Sequence, residues 1–478
     1  MADKLSDYRS KRDFKDTPEP LGDGDVERDA GRFVIQEHHA RRLHWDFRLE
    51  RDGVLVSWAV PKGVPEDPKR NHLAVHVEDH PLDYIDFEGV IPEGNYGAGK
   101  VLIWDRGTYD SHKFREDKVI VTLHGERIEG KYALFRTRGD DWMIHRMDPP
   151  ADPDREPIPE RIKPMLAKLA KKLPRDDAAH GYEIKWDGIR AILYSESGGV
   201  RIESRNLKDI TSRWPELRAL GRELGSRDAV LDGEIVTLDE QGRPSFQRLQ
   251  SRMHLASESA IRRRMKEVPA VYMVFDLLHL EGRSLMDLPY TERRELLEGL
   301  DLNGPAWKTP AYHRGDGAKL LDAAAAQGLE GIVAKRLDSR YQPGRRSDAW
   351  LKVKRQRAQE FVIGGWTPGE GRQRDRLGAL LIGYYKDGRL VYAGKVGTGF
   401  TEETLKQVGA ALKPLERKSS PFDGRQPPKG SIFVEPKLVA EVEFSEWTNA
   451  GTVRHPSFKG LRYDKEPREV VREEPVPA

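Results

Sequence analysis

Lys185 stands in the run Glu183-Ile-Lys-Trp-Asp-Gly-Ile-Arg190, where strand-like alternation gives way to a turn. Tyr182, Ile184 and Trp186 fall on one face of an extended segment and Glu183 and Lys185 on the other, while Asp187-Gly188 opens a turn into Ala191-Ile-Leu-Tyr194. A lysine fixed at a strand end beside other cations can have its pKa lowered enough to attack phosphorus. A second group of chemistry-bearing residues lies upstream, between Phe33 and Leu49. On an extended strand His44, Asp46 and Arg48 share one face, and Leu43, Trp45, Phe47 and Leu49 share the other. His38 completes a set of nitrogen and oxygen donors suited to a metal ion. Each pattern also has a plainer explanation: Lys-x-Asp-Gly is common in hairpins, and a histidine beside a carboxylate is usually just hydrogen-bonded.

These residues need scaffolds, and 478 residues suffice for two to four domains. The 81 Lys plus Arg nearly cancel 79 Asp plus Glu, so any nucleic-acid face must come from local clustering. With no cysteine, disulfides, cysteine nucleophiles and cysteine-zinc sites are excluded. No apolar run is long enough to span a bilayer and the N-terminus lacks a secretory core, which gives a cytoplasmic expectation.

The predicted fold class is multidomain α+β. Residues 1–148 read as a β-barrel-like domain whose first 30 residues form a loosely held arm, with strands at Leu43–Glu50 and Val54–Val60. Residues 149–161 are rich in proline and read as a stiff solvated linker. Strands and helices mix over 162–356, residues 357–466 return to short strands as in an OB-fold barrel, and 467–478 look like a disordered tail.

Downstream of Lys185 come Ser204-Arg205-Asn206, Leu231-Asp232-Gly233-Glu234, Val274-Phe275-Asp276, Glu330-Gly-Ile-Val-Ala-Lys335 and Trp350-Leu-Lys352-Val-Lys354. In that order, over residues 162–466, the series resembles the ATP-dependent DNA ligases among the lysine nucleotidyltransferases. The resemblance implies that Lys185 attacks the α-phosphate of ATP, within an ATP/AMP site of Glu183, Arg190, Arg205, Glu234, Phe275, Glu330, Lys335, Lys352 and Lys354. Lys352 and Lys354 would neutralise phosphate charge, and Glu234 and Glu330 would place Mg2+ or Mn2+. Phe275 would stack on adenine, and Arg190 and Arg205 would hold the sugar and later a 5′-phosphate. Arg454 to Lys465 resembles the family's last motif, with Arg462 and Lys465 closing over the pyrophosphate side.

The front domain, from about Asp13 to Met147, resembles the 3′-phosphoesterase module of bacterial ligase D in Leu43-His-Trp-Asp-Phe-Arg-Leu49, Ser57-Trp-Ala-Val-Pro-Lys62 and Val77-Glu-Asp-His-Pro-Leu-Asp-Tyr84. That resemblance implies Mn2+ on His38, His44 and Asp46, with Arg48, Lys62, His80 and Tyr84 around the scissile phosphate. His72 stands where relatives are expected to carry arginine, which leaves one phosphate contact open. The implied activity is ligation of 5′-phosphate and 3′-hydroxyl ends through lysyl-AMP, with trimming of 3′-ribonucleotides and 3′-phosphates in double-strand break repair. The implied partners are broken DNA, the Ku end-binding protein and a separate primase-like polymerase, the polymerase module being expected to be absent here; a monomer is expected. Two rivals remain: a DNA-binding scaffold with ligase activity only, and an RNA ligase or capping-type transferase, since the lysine motif does not distinguish adenine from guanine.

Overall fold

Alternate side chains along Leu43–Arg51 are apolar, and Trp45, Phe47 and Leu49 are almost fully buried. Such a strand must bury one whole face. The neighbouring strands solve this by closing on one another. In the computed structural model, which describes the chain except at residues 1–3, 23–30, 151, 254, 256, 355–356, 370–375, 449 and 474–478, the strands are β1 (Arg32–His39), β2 (Leu43–Arg51), β3 (Val54–Val60), β4 (Asn71–His76), β5 (Gly89–Ile91), β6 (Gly99–Arg115), β7 (Lys118–Gly125), β8 (Glu129–Arg138) and β9 (Asp141–Arg146). Their order β1-β2-β3-β4-β9-β8-β7-β6 returns to β1, a closed eight-stranded ring with β5 added on β6. The β2–β3 hairpin turns on Asp52 (φ 48°) and Gly53 (φ 81°), two left-handed residues whose twist suits a two-residue loop.

Residues 4–22 of the N-terminal arm are docked on the first domain, an outcome the sequence left open beside a loosely held arm. Tyr8, on the short helix Ser6–Ser10, is fully buried among Leu82, Tyr84, Ile85 and Phe87, and its hydroxyl donates to the Pro20 carbonyl at 2.7 Å. One buried aromatic and a few ion pairs anchor a segment whose composition carries almost no apolar pattern.

The middle unit has two sheets. One runs Leu166–Ala170, Arg346–Lys354, Gly331–Arg336, His180–Ile184 and His313–Arg314; the other runs Gly199–Ser204, Ile189–Glu196, Ala229–Thr237, Ala270–Leu280 and Arg283–Ser284. The long strand Ala270–Leu280 is tied to the helix Tyr290–Glu298 by Arg293, which makes a two-pronged pair with Asp276 at 2.7 and 2.9 Å with both side chains fully buried. The C-terminal barrel orders Arg389–Val396, Leu377–Lys386, Arg357–Pro368, Ile432–Phe444 and Glu416–Arg417, with Ser457–Leu461 on the far side of Ile432–Phe444. This is the OB-fold expected.

Two connecting segments depart from expectation. The proline-rich stretch is solvent-exposed over most of its described length, as expected, but it is also pinned: the Glu156 N–H donates to the Gly282 carbonyl at 2.7 Å, and Arg155 pairs with Glu66 of the barrel at 3.1 Å and Asp228 of the middle unit at 3.4 Å. The described part of the tail, residues 467–473, is also ordered. Val470 enters the OB core, and its carbonyl accepts from the Tyr385 N–H at 2.7 Å.

Arg293→Met leaves the Asp276 carboxylate buried without its cation, so the middle unit should lose about 3–5 kcal/mol of stability. The check is its transition in urea: an unchanged midpoint would show that Asp276 finds another partner, whereas adding Asp276→Leu should recover part of the loss.

Candidate active sites

His180–Ile184 pairs antiparallel with Gly331–Arg336, and the Lys185 N–H closes the ladder by donating to the Gly331 carbonyl at 3.0 Å. Lys185 thus leaves the sheet at a fixed point. Gly331 is required there, since a Cβ would lie 2.1 Å from the Val353 carbonyl oxygen, and this close approach sets the preceding Glu330 against Lys185. The Glu330 carboxylate pairs with Lys185 and, at 2.8 Å, with Lys354.

Burial pushes the Lys185 ammonium down, but the attraction of Glu330 outweighs it and holds the group above its ordinary value. The lysine was expected to be depressed by neighbouring cations; Lys354 does pull that way, yet the shared carboxylate wins. Glu330 itself is drawn well below the usual carboxylate range by Lys185 and Lys354, against the effect of its own burial.

Lys185 faces a cavity of about 530 Å³ also lined by Glu183, Arg190, Arg205, Glu234, Phe275, Lys335, Lys352, Lys354, Arg462 and Lys465. Every residue assigned to nucleotide or pyrophosphate therefore meets here except Glu330, which adjoins through its two lysines. Lys335 pairs with Glu183 at 2.8 Å and lies 4.5 Å from the Phe275 ring centre. Arg190 grips Asp232 with two hydrogen bonds of 2.6 and 2.7 Å and lies 4.4 Å from the same ring, so a base placed on Phe275 would share it with cations. Burial pushes Glu234 up to about 7 and Lys352 down to about 8. From the OB barrel, Arg462 pairs with Glu441 at 2.8 Å and Asp464 at 2.9 Å, and Lys465 with Glu360 at 2.9 Å. Asp187, 3.6 Å from Arg462, is pushed up to about 8 by burial and by Glu441 and Glu330.

The metal assignment to Glu234 and Glu330 fits only in part. Glu330 is already held by two lysines, which leaves Glu234 as the available carboxylate. A cation here would need phosphate oxygens to complete its shell.

The front site fits a metal on the barrel's own donors. His38, His44 and Asp46 present ligand atoms all within 4.8 Å of one another, the one such group of three or more among the described residues. The His38 Nε2 lies 2.8 Å from the Gly97 carbonyl and the His44 Nδ1 lies 3.0 Å from the Arg42 carbonyl. Carbonyls only accept, so those nitrogens carry the protons. The other ring nitrogens, His38 Nδ1 and His44 Nε2, face the Asp46 carboxylate, 3.3 and 3.6 Å away. With both rings neutral this would set two lone pairs against an anion, an arrangement that a bound cation satisfies, and the carbonyls orient the rings as hydrogen-bond partners do around bound metals. Arg48 pairs with Asp46 at 3.0 Å, and despite burial the cations hold the Asp46 carboxyl well below its usual range.

His80 and Tyr84 lie beside this group, Tyr84 with Arg48 4.9 Å from its ring centre. Sequence reasoning missed Arg12 and Glu19. Arg12, on the docked arm, pairs with Glu19 at 2.8 Å and donates to His80 Nε2 at 3.2 Å, which leaves the His80 Nδ1–H for the Glu78 carbonyl at 2.9 Å. Burial, with Arg48 and Arg12, holds His80 well below its ordinary value, so it is a neutral base. Gln36 was also missed, although period two from His38 puts it on the same face; it accepts from Arg48 at 2.8 Å. Nothing in the sequence pattern marks Arg12.

Two assigned residues lie elsewhere. His72 alternates with Ala74 on the inner face of β4 and hydrogen-bonds the Gly63 carbonyl at 2.7 Å. Lys62 is exposed, and its carbonyl accepts from Ser197 of the middle unit at 3.1 Å. Their surroundings are each other, Arg70 and Glu196 rather than the metal ligands.

Three family descriptions match in chain order: DNA Ligase D 3′-phosphoesterase domain over residues 36–136, ATP dependent DNA ligase domain over 164–354, and ATP dependent DNA ligase C terminal region over 373–465. A Mycobacterium bovis protein named multifunctional non-homologous end joining protein LigD is 48% identical over 99% of this chain and 62% of its own length. The Pseudomonas aeruginosa protein of the same name is 40% identical, with the same two coverages of 99% and 62%, so this chain spans less than two thirds of these relatives. A solved mycobacterial DNA ligase D complexed with ATP and MES is 42% identical, with a TM-score of 0.50, over 65% of this chain and 98% of that one. A closed barrel with a His-His-Asp group, followed by a lysine-centred transferase and an OB barrel, defines the class, and the chain belongs to the DNA ligase D family. Among the described residues no helix is long and apolar enough to cross a membrane.

Removing one donor should empty the front site, because an imidazole and a carboxylate cannot take one another's place. Calorimetric titration with Mn2+ should show at least about 100-fold weaker binding for His38→Ala or Asp46→Asn, beyond what loss of a supporting hydrogen bond typically costs. Lys62→Ala should bind as the parent does, and equal binding by all three variants would remove the triad as the ligand set.

Proposed function

We propose that this chain is an ATP-dependent DNA ligase with a metal-dependent 3′-end-processing site, acting at double-strand breaks. The observation that carries the reading is convergence: residues from widely separated segments between Glu183 and Lys465 meet around one lysine at the wall of one cavity.

In this reading the Lys185 amine, released from Glu330 and relieved of its proton, attacks the α-phosphorus of ATP. A nitrogen–phosphorus bond forms as the bond to the leaving oxygen breaks, and pyrophosphate departs. Lys352, Lys354, Arg462 and Lys465 neutralise charge on the phosphates, and Arg190 and Arg205 hold the nucleotide and then the 5′-phosphate of a DNA end. A divalent cation beside Glu234 would supply further neutralisation of phosphate oxygens. The AMP passes to that 5′-phosphate, and attack by the facing 3′-hydroxyl releases AMP and closes the strand.

At the front site, a Mn2+ or similar cation on His38, His44 and Asp46 would polarise a 3′-terminal phosphate. Arg48 and Arg12 face the same place with fixed positive charge, and His80, bonded to Arg12 through Nε2, helps to position that guanidinium. This supports removal of a 3′-ribonucleotide or 3′-phosphate, which would leave the 3′-hydroxyl that ligation requires. The names of the relatives support end joining as the setting; the Ku end-binding protein and a primase-like polymerase as partners, and the nucleoid as the place of work, belong to this proposal.

Lys185→Ala should abolish the AMP adduct seen by mass spectrometry after incubation with ATP, while partial sealing of a nick already adenylated at its 5′ end persists. Asp46→Ala should stop manganese-dependent 3′-end trimming and leave the adduct intact. An adduct on Lys185→Ala, or an adduct of GMP in place of AMP on the parent, would overturn the assignment. DNA affinity should fall steeply with salt, as phosphate-backbone contacts require, and a slope near zero would exclude nucleic acid as the substrate.

A further inference from the structure

Residues 466–473 leave the OB barrel and run along the mouth of the lysine cavity. Glu469, Val470, Val471, Arg472 and Glu473 all line it. The segment is clipped to the barrel on one side. Val470 is buried in the OB core, its carbonyl accepts from the Tyr385 N–H at 2.7 Å, and the Arg472 guanidinium lies 4.5 Å from the Trp447 ring centre. The Gln359 side chain holds the backbone from both sides, donating to the Val471 carbonyl and accepting from the Glu473 N–H, each at 3.1 Å.

On its other side the segment offers carboxylates to the transferase. Glu473 pairs with Lys352, Glu469 with Arg205 at 3.8 Å and Glu466 with Lys208 at 2.9 Å. Lys352 and Arg205 are the groups to which the proposed function gives phosphate. Of these contacts the first matters most, because both of its side chains are only 14% exposed, whereas Glu469 and Glu466 are about half in water, where such pairs count for little. The Lys352–Glu473 pair is also incompletely satisfied, since the second Glu473 oxygen is buried with no hydrogen-bond partner. A nucleotide phosphate could replace this carboxylate on Lys352.

We propose that residues 466–473 form an acidic strap that holds the OB barrel against the transferase by occupying Lys352 and Arg205, and that the phosphates of ATP must displace it. The barrel-side anchors differ chemically from the transferase-side ones, so the strap can let go of the cations while Val470 stays seated. The strap thereby sets the apparent affinity for ATP without taking part in the chemistry. It rests on the reading of this cavity as an ATP site.

Glu473→Gln keeps the side chain's size and its backbone hydrogen bond to Gln359 but removes the charge. The apparent KM for ATP in adduct formation should fall about tenfold, the ratio that 1.4 kcal/mol represents, with the rate at saturating ATP unchanged. An unchanged KM overturns the strap, and a raised KM overturns it by making Glu473 a contributor to nucleotide binding. If the variant unfolds at lower urea, the parent decides: at saturating ATP and Mg2+ the Glu473 amide should exchange hydrogen faster while the Tyr385 amide, bonded to the seated Val470, keeps its rate, and equal or slower exchange at Glu473 counts against displacement. If the parent forms no adduct with ATP, the ligase reading fails separately. The strap is then tested with inorganic tripolyphosphate, followed by tryptophan fluorescence; tighter binding to Glu473→Gln than to the parent upholds it, and equal binding overturns it.

Discussion

Glu330 lies between two ammonium groups, Lys185 and Lys354, at a depth where an unpaired charge of either sign would cost several kcal/mol. Much of the cavity follows from that constraint. Its cations come with carboxylates: Glu183 on Lys335, Asp232 on Arg190, Glu473 on Lys352, Glu360 on Lys465, and Glu441 and Asp464 on Arg462. A triphosphate entering such a site exchanges one anion for another and adds little uncompensated charge. The nucleophile follows the same rule. Its amine is stored as an ammonium on Glu330, and the chemistry begins when a phosphate and its counter-ions change what Glu330 must balance.

Period two was enough to read the parts of both sites that lie on strands. Glu183 and Lys185 project together from His180–Ile184, and His44, Asp46 and Arg48 project together from β2, because alternation is a property of the extended backbone itself. The closed barrel and the OB-fold followed from short alternating runs broken by turn residues. What stayed hidden depends on contacts distant in sequence. Arg12 reaches His80 only because Tyr8 finds a buried pocket, and one aromatic in a charged arm gives no periodic signal. Residues 467–473 read as a tail from composition, yet Val470 is seated in the OB core and Glu473 is held by Lys352 and Gln359. The direction of the Lys185 shift was misjudged because the ordered motifs reveal its neighbours but not which lies nearer, and here the carboxylate outweighs the cation. His72 was given a phosphate by its place in a motif, although alternation with Ala74 turns it toward the inside of the barrel.

The two sites hold their reactive groups by opposite means. Around Lys185 mobile charges balance one another across two domains, so the site can be rearranged by what binds. At the front site the fixed elements are backbone carbonyls, Gly97 on His38 and Arg42 on His44, which set two tautomers without adding charge. A metal site gains from that rigidity, because ligand lone pairs must already point inward.

The contacts between the barrel and the transferase refine what separate sites mean here. The Trp104 indole donates to Ser226 at 3.0 Å, Arg70 pairs with Glu196 at 3.0 Å, and Arg155 in the connecting segment bridges Glu66 and Asp228. None of these residues belongs to either reactive group, so the two chemistries remain divisible by substitution. The Lys62 carbonyl nonetheless rests on Ser197 of the transferase. Lys62 thus belongs to a loop whose position the second domain helps to set, and any role it has toward a 3′-phosphate is exercised from the interface. A connection that composition alone describes as a tether is fastened, through Arg155 and Glu156, to both domains it joins.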